Sequence, residues 1–453
     1  LEGMLRKYLE SLALGGLVVV VCGCGDPAPP SFRLNVVQLA ANELGRDYGV
    51  EIATVLDAIF GTPDQPIAPP ESGLSQRLLN LAAGPSWTDP DDVTHGLYRK
   101  HCVHCHGVSG DGRGPTAAFL DPYPRDYRKG VFKFKSTYPA EKPTDEDLFR
   151  VLHNGVPGTS MPSFALLPRP EVDALVEYVK YLAMRGEMET ALVNYVAEEL
   201  GEEETEDAEG KLVTSRPPLD PSQVPEQAEI IQEMLSGVLE SWASASDSVI
   251  VPIEDEAPAD VRSPEELAES IALGRELFFG AKAQCLKCHG PTALGDGERN
   301  TYDVWMQELD DFYQRSIVQL ENSITERRKR TYDDESADER KERLSELARD
   351  EARLAENKQV FAVQYERRTA IPRNLRQGVY RGGRRRLDIF YRIHAGIVGS
   401  PMPGLGGSSA GASGAMSEKE LWHIVDYVMS LPYEPPSGPF QRELPANVAE
   451  VTR

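Results

Sequence analysis

The chain has 453 residues, with 72 acidic against 48 basic side chains and a formal net charge of −24. This length exceeds one small domain and predicts two or three. The charge argues against nucleic acid and an anionic membrane surface as partners, and it favours a partner with a basic docking surface, because opposite charge steers encounter.

In chain order, Arg6 and Lys7 precede an apolar run over 12–21 that ends at Cys22-Gly23-Cys24. The run is shorter than the ~20 residues of a spanning helix and suits a signal peptide. Val21-Cys22-Gly23-Cys24 resembles a bacterial lipobox, with a small residue before Cys24. That resemblance makes residues 1–24 a signal peptide with its lipobox, and implies cleavage before Cys24, which becomes the lipidated first residue, with Cys22 as the alternative. Residues 25–88 read as an N-terminal extension of short helices with Pro-rich joins and no visible chemistry.

Two segments then carry the pattern C-x-x-C-H: Cys102-Val103-His104-Cys105-His106 and Cys285-Leu286-Lys287-Cys288-His289. The spacing reads as a c-type haem attachment site, in which two thiols bond to the haem vinyl groups and the histidine ligates the iron. Two covalently bound haem c groups are therefore expected. Four of the six cysteines are used this way, and the others are Cys22 and Cys24, so no disulfide framework remains. Attachment of haem c implies export to the outer, periplasmic side of an energy-coupling bacterial membrane.

The flanking sequence repeats too. P-R-D-Y-R-K-G-V-F at 124–132 matches P-R-N-L-R-Q-G-V-Y at 372–380, and 149–162 (F-R-V-L-H-N-G-V-P-G-T-S-M-P) matches 390–403 (F-Y-R-I-H-A-G-I-V-G-S-P-M-P) without a gap. The segments 174–179 and 423–428 match as amphipathic helices. Two copies of one domain are expected, at 89–187 and 263–435. The order helix, C-x-x-C-H, Gly-rich loop, P-R, helix, M-P, terminal helix resembles class I cytochrome c, an all-α fold around one haem, and the first copy is similar to domains of dihaem electron carriers in bacterial respiratory chains.

The resemblance implies a second axial ligand for each iron. Met161 and Met402 stand in the same register, each after a Gly-rich turn and before a proline. A thioether favours ferrous iron, so His/Met ligation at His106 with Met161 and at His289 with Met402 raises the potential and suits one-electron transfer. The alternative is that these methionines fill the core. His153 and His394 also match in register, and would serve either as distal ligands or as helix-end hydrogen-bonding groups. His101 and His104 have no counterparts and read as solvent-facing, while His95 and His423 carry only surface or packing roles. Arg125 and Arg373 are candidates for haem propionate contacts, since a guanidinium matches a carboxylate in fork geometry, and the adjoining prolines help set a carbonyl for the proximal histidine's N–H. In cytochromes of this class an aromatic on the terminal helix, here Tyr178 or Tyr427, crosses the first helix near Gly96 and Tyr98 or Gly274 and Phe278.

Residues 188–262 read as an acidic linker, within which 230–242 has the pattern of a helix that packs on a haem domain. The second copy holds an insertion at about 301–371 whose apolar steps predict an antiparallel helical hairpin, expected near the second haem edge, against a partner or against its own domain. Residues 436–453 form a C-terminal tail.

The function expected is electron transfer rather than catalysis: a lipid-anchored dihaem cytochrome passing single electrons between respiratory redox partners. A dihaem enzyme of peroxidase type is the alternative, and it needs an open distal position that two M-P loops argue against. A third reading, a fixed cytochrome subunit of a larger respiratory complex, shares the chemistry of the first and differs in partners.

Overall fold

One long helix organises the first half of the chain. The computed structural model describes residues 29–200, 203–206, 212–215, 217–252, 261–330, 332, 335–408 and 413–434. The signal and lipobox segment with Cys22 and Cys24, and the tail 436–453, lie outside the described residues. The fold is all-α, as the periodicities predict; two two-stranded hairpins, β1 (Trp87–Thr88) with β2 (Thr94–His95) and β3 (Glu203–Glu206) with β4 (Leu212–Ser215), are the strands among the described residues.

The short helices of the first half are α1 (Val36–Ala41), α2 (Arg46–Phe60), α3 (Gln76–Ala82), α4 (Leu97–His101), α5 (Val103–His106) and α6 (Asp145–Asn154). They gather around α7 (Arg169–Glu198), with α8 (Pro225–Ala243) on another side. Helix α7 is buried on several faces, through Leu175, Tyr178, Leu182, Met188 and Val196 among others, which is how a helix surrounded by partners must read. Each such Leu contributes roughly 1.5–3 kcal/mol by burial. The terminal helix therefore continues to Glu198, past the expected boundary at 187, and the acidic linker is largely built into the fold: Ile231, Leu235, Leu239 and Trp242 of α8 share the core of the first half. The N-terminal extension joins the same core through Ile52, Leu56, Phe60 and Leu79.

The second half is simpler. Helix α9 (Pro264–Phe279) starts with a capping box between Ser263 and Glu266, and α15 (Glu418–Ser430) with one between Ser417 and Glu420; each satisfies two otherwise unpaired amides. The two helices cross at Gly274, where a Cβ would fall 2.9 Å from Cβ of Tyr427, and the Phe278 and Tyr427 rings meet edge to face at 5.4 Å. This is the expected crossing. Its counterpart is built differently, because Gly96 is left-handed, ends the strand pair and packs on Pro85 rather than on α7. Tyr98 alone meets Tyr178, at 4.8 Å. Helices α10 (Cys285–His289) and α14 (Arg386–His394) complete the second half.

The insertion forms the expected hairpin: α11 (Val304–Tyr313), a π-turn over Gln314–Gln319 and α12 (Leu320–Lys329) run against α13 (Ala337–Ala362). The π-turn accepts a hydrogen bond from buried Asn357 to the Ser316 carbonyl, 2.9 Å, a carbonyl set apart from the α-helical ladder by the bulge. Its place differs from the expectation. The base of the hairpin packs Leu309, Phe312 and Ile317 on Val37 of α1, and its two ends grip the loop after the first C-x-x-C-H motif. Lys129 pairs with Glu308, Lys133 with Asp303 at 2.9 Å, Tyr365 stacks on Tyr123 at 4.8 Å, and Arg368 donates to the Leu120 carbonyl at 2.8 Å. The insertion thus straps the first half, while its first turn also touches the second through the Val304 amide and the Gly399 carbonyl, because it leaves the chain where the halves meet.

Candidate functional site

The two C-x-x-C-H segments share a set of hydrogen bonds at matching positions. His106 is buried, and its Nδ1 lies 3.1 Å from the Arg125 carbonyl; His289 Nδ1 lies 3.2 Å from the Arg373 carbonyl. The Gly112 amide donates to the His106 carbonyl at 3.0 Å and the Gly295 amide to that of His289 at 2.9 Å. The Tyr127 amide donates to Gly110 at 2.7 Å and the Leu375 amide to Ala293 at 2.9 Å. An Nδ1–H held by a carbonyl fixes the tautomer and leaves Nε2 as the basic nitrogen. Burial depresses the His106 imidazole to about 4 despite the helpful Arg125 carbonyl, and burial also lowers His289, so both are neutral donors at neutral pH. The sequence pointed to a carbonyl set by the prolines; the acceptors are the arginines that follow them.

The methionine loops also coincide. The Val156 amide donates to the Met161 carbonyl at 3.2 Å and the Ile397 amide to that of Met402 at 3.1 Å. The Met161 amide donates to Thr159 Oγ1 at 3.1 Å, and the Met402 amide to Ser400 Oγ at 3.3 Å. Met161 packs on the core that holds Cys102, and Met402 on the core that Cys285 also contacts. His153 and His394 end their helices, and their carbonyls accept from Ser163 Oγ at 2.6 Å and from the Gly406 amide at 2.9 Å. His104 is exposed as expected, whereas His101 is not solvent-facing: its ring meets Phe164 edge to face at 5.9 Å and its Nε2 is buried without a hydrogen-bond partner. His95 stacks on Trp87 at 4.5 Å and His423 Nδ1 lies 2.8 Å from Ser270 Oγ, both structural roles.

The residues fit a covalently held haem. Cys102, Cys105, Cys285 and Cys288 are free thiols, and burial pushes Cys102 and Cys285 up to about 12. Arg373 and Arg381 each keep a buried guanidinium nitrogen without a hydrogen-bond partner, as groups awaiting an anion would. His106 and His289 would ligate the iron on one side and Met161 and Met402 on the other, with Arg125 and Arg373 toward the propionates.

The contacts between the halves are reciprocal. A Cβ on Gly158 would lie 3.3 Å from Val379, and one on its match Gly399 would lie 3.0 Å from Val131, the match of Val379. Phe134 touches Gly382, which is its own counterpart. Such exchange of equivalent contacts is the signature of a two-fold relation, and it brings each arginine loop against the methionine loop of the other half. Arg381 and Lys133 also meet there; burial and the nearby Arg125 charge lower Lys133 to about 8, while Asp303 opposes the shift. The sequence reading missed Tyr127, Lys133, Trp305 and Arg381. The basic run Arg381-Gly382-Gly383-Arg384-Arg385-Arg386 in so acidic a chain was a usable signal for the last, whereas Trp305 had none.

Residues 91–179 match the family model described as cytochrome c oxidase, cbb3-type, subunit III. No curated protein matches the chain. Among solved structures, a chain of the reducing HAO-like protein complex of Kuenenia stuttgartiensis is similar at 20% identity with a TM-score of 0.39, over 74% of this chain and 94% of that one. The matched stretch runs from before Cys102 through Met161 to Tyr178, and its likeness to a cytochrome c domain supports a c-type cytochrome with covalently attached haem and a role in electron transfer.

Proposed function

We propose that the chain is a dihaem c-type cytochrome, two tandem cytochrome c domains at 89–187 and 263–435, that carries single electrons between redox partners on the periplasmic side of a bacterial membrane. The observation that carries this reading is the shared frame around His106 and His289, with carbonyls of Arg125 and Arg373 on Nδ1 and matching turns at Met161 and Met402. Haem bound at each site supplies reversible one-electron chemistry. The protein's own residues hold the imidazoles in one tautomer, keep them neutral by burial and present a thioether from a short closed turn. With a methionine on each distal side no position stays open for a substrate, which favours transfer over catalysis. The net charge of −24 suits a basic partner surface, whether a diffusing protein or a neighbouring subunit of a respiratory complex, and a lipid on Cys24 provides the tether.

A potentiometric titration of the intact protein, followed by its spectra, tests the reading. Two one-electron steps are expected. Met161→Ala and Met402→Ala each lower one midpoint by more than ~59 mV, a tenfold change in a one-electron equilibrium, and each remove one sulfur-to-iron charge-transfer band. A titration that takes up one electron in total, or a charge-transfer absorbance undiminished in either variant, overturns it. Cys24→Ser is expected to move the protein from the membrane to the soluble fraction.

A further inference from the structure

Trp305 belongs to the insertion of the second half, yet its side chain lies in the first site. Its ring covers the Arg125 guanidinium at 3.4 Å, and its Nε1–H donates to the Asp126 carbonyl at 3.2 Å. Lys133 Nζ stands 5.3 Å from the same ring and pairs with Asp303, the N-cap of α11, at 2.9 Å. The far edge of the indole lies under Gly399, where a Cβ would fall 2.8 Å from the ring, and the Val304 amide donates to the Gly399 carbonyl at 3.0 Å. Gly399 stands in the turn that presents Met402. The indole is thus wedged between the arginine whose carbonyl orients His106 and the loop that carries Met402. At the reciprocal place, beside Gly158, the neighbours are the Arg373 guanidinium and Val379.

We propose that Trp305 is a positioning residue for the first haem site, supplied by the other half of the chain: it pins the Arg125 guanidinium and keeps water from it, and so holds the midpoint of the first haem up. A fixed, poorly hydrated cation favours the reduced iron, which carries one positive charge fewer, because its field is not screened by water. Releasing Arg125 into solvent weakens that field and admits water, and both changes favour the oxidised state. The inference rests on residues 102–106 holding haem, and it gives the insertion a role: it makes two sites of the same frame unequal.

The test uses the full-length holoprotein. The first haem is identified as the one lost in the Cys102→Ala/Cys105→Ala variant. Trp305→Leu is expected to shift that haem's reduction equilibrium about tenfold toward the oxidised form, ~59 mV for one electron, and to leave the second haem in place. Trp305→Phe keeps a ring face over Arg125 but loses the indole N–H, and gives a smaller shift in the same direction. Glu308→Gln removes the neighbouring ion pair of the insertion with Lys129 without touching Arg125, and moves neither midpoint. The proposal is overturned if Trp305→Leu leaves the first midpoint unchanged, if both haems move equally, or if Glu308→Gln moves the first haem as far as Trp305→Leu does. A Cys102→Ala/Cys105→Ala protein that keeps the full haem content fails the underlying assignment of haem to this site instead, and the two failures are told apart by that count.

Discussion

His106 and His289 sit in the same backbone frame, but the two frames are embedded in different amounts of protein. The first belongs to a core that runs from Phe32 to Trp242 and takes in the N-terminal helices, α7 and α8. The second belongs to a smaller core centred on the crossing of α9 and α15. Tyr127 stacks on His106 at 4.7 Å, while the matching position in the second half is Leu375. The insertion, though spliced into the second half, adds its strap to the first. Local sequence repeats can thus build matching backbone frames while their surroundings, burial, stacking and charge, differ.

The largest break in this comparison comes from the thiols. Cys102→Ala/Cys105→Ala and Cys285→Ala/Cys288→Ala should each remove half of the covalently bound haem, read by denatured haem absorbance or intact mass. Of the two, the first should leave the larger core with a void and lower the thermal midpoint more. Next, Phe60→Ala should cost ~3–5 kcal/mol, because Phe60 is fully buried and meets Tyr181 at 5.9 Å. Denaturant unfolding should show the loss in the transition that removes Met161 from the first haem, and equal movement of both haem transitions would mean that the halves unfold as one cooperative unit.

An acid limb should mark the second half. Burial opposes the charge of Asp426, but hydrogen bonds from Arg262 and Ser270 and the charge of Arg386 outweigh it and hold the carboxyl below its usual 3.8. A carboxyl depressed in the folded state stabilises above its unfolded value, and that contribution fades as pH falls through the folded value. The crossing of α9 and α15 should therefore loosen below about pH 4, and Asp426→Asn should remove that limb at a cost of ~1–3 kcal/mol, read by thermal melts across pH. The smallest effect is expected of Tyr127→Leu, which gives the first site the residue of the second. Loss of the stacked ring should cost ~0.5–1.5 kcal/mol and narrow the gap between the two haem midpoints; a gap left unchanged would assign the asymmetry to the insertion alone.

Much of the candidate site was legible because its chemistry is local. Thiols and histidine lie within one helical turn, and Met161 and Met402 follow turns closed within six residues, so spacing carries the information. The capped helices α9 and α15 were legible for the same reason. What spacing could not carry was contact between distant segments. The extension looked empty because its residues are ordinary apolar ones, and only their meeting with Tyr181 and Leu182 makes them part of the first core. The stretch 188–262 looked like a solvated linker because of its acids, of which Glu226, Glu229, Glu233 and Glu240 are exposed, while a helix needs only one apolar stripe to bury.

The sequence by itself determined the helical class, the two C-x-x-C-H frames and the register of their methionines, since each rests on periodicity or short-range geometry. Only the tertiary structure decided which half the insertion serves. The hairpin leaves the second half where the reciprocal interface lies, so its first turn lands on Arg125 rather than Arg373. That outcome depends on how two surfaces pack, a property of shape and charge summed over both halves that no local pattern encodes.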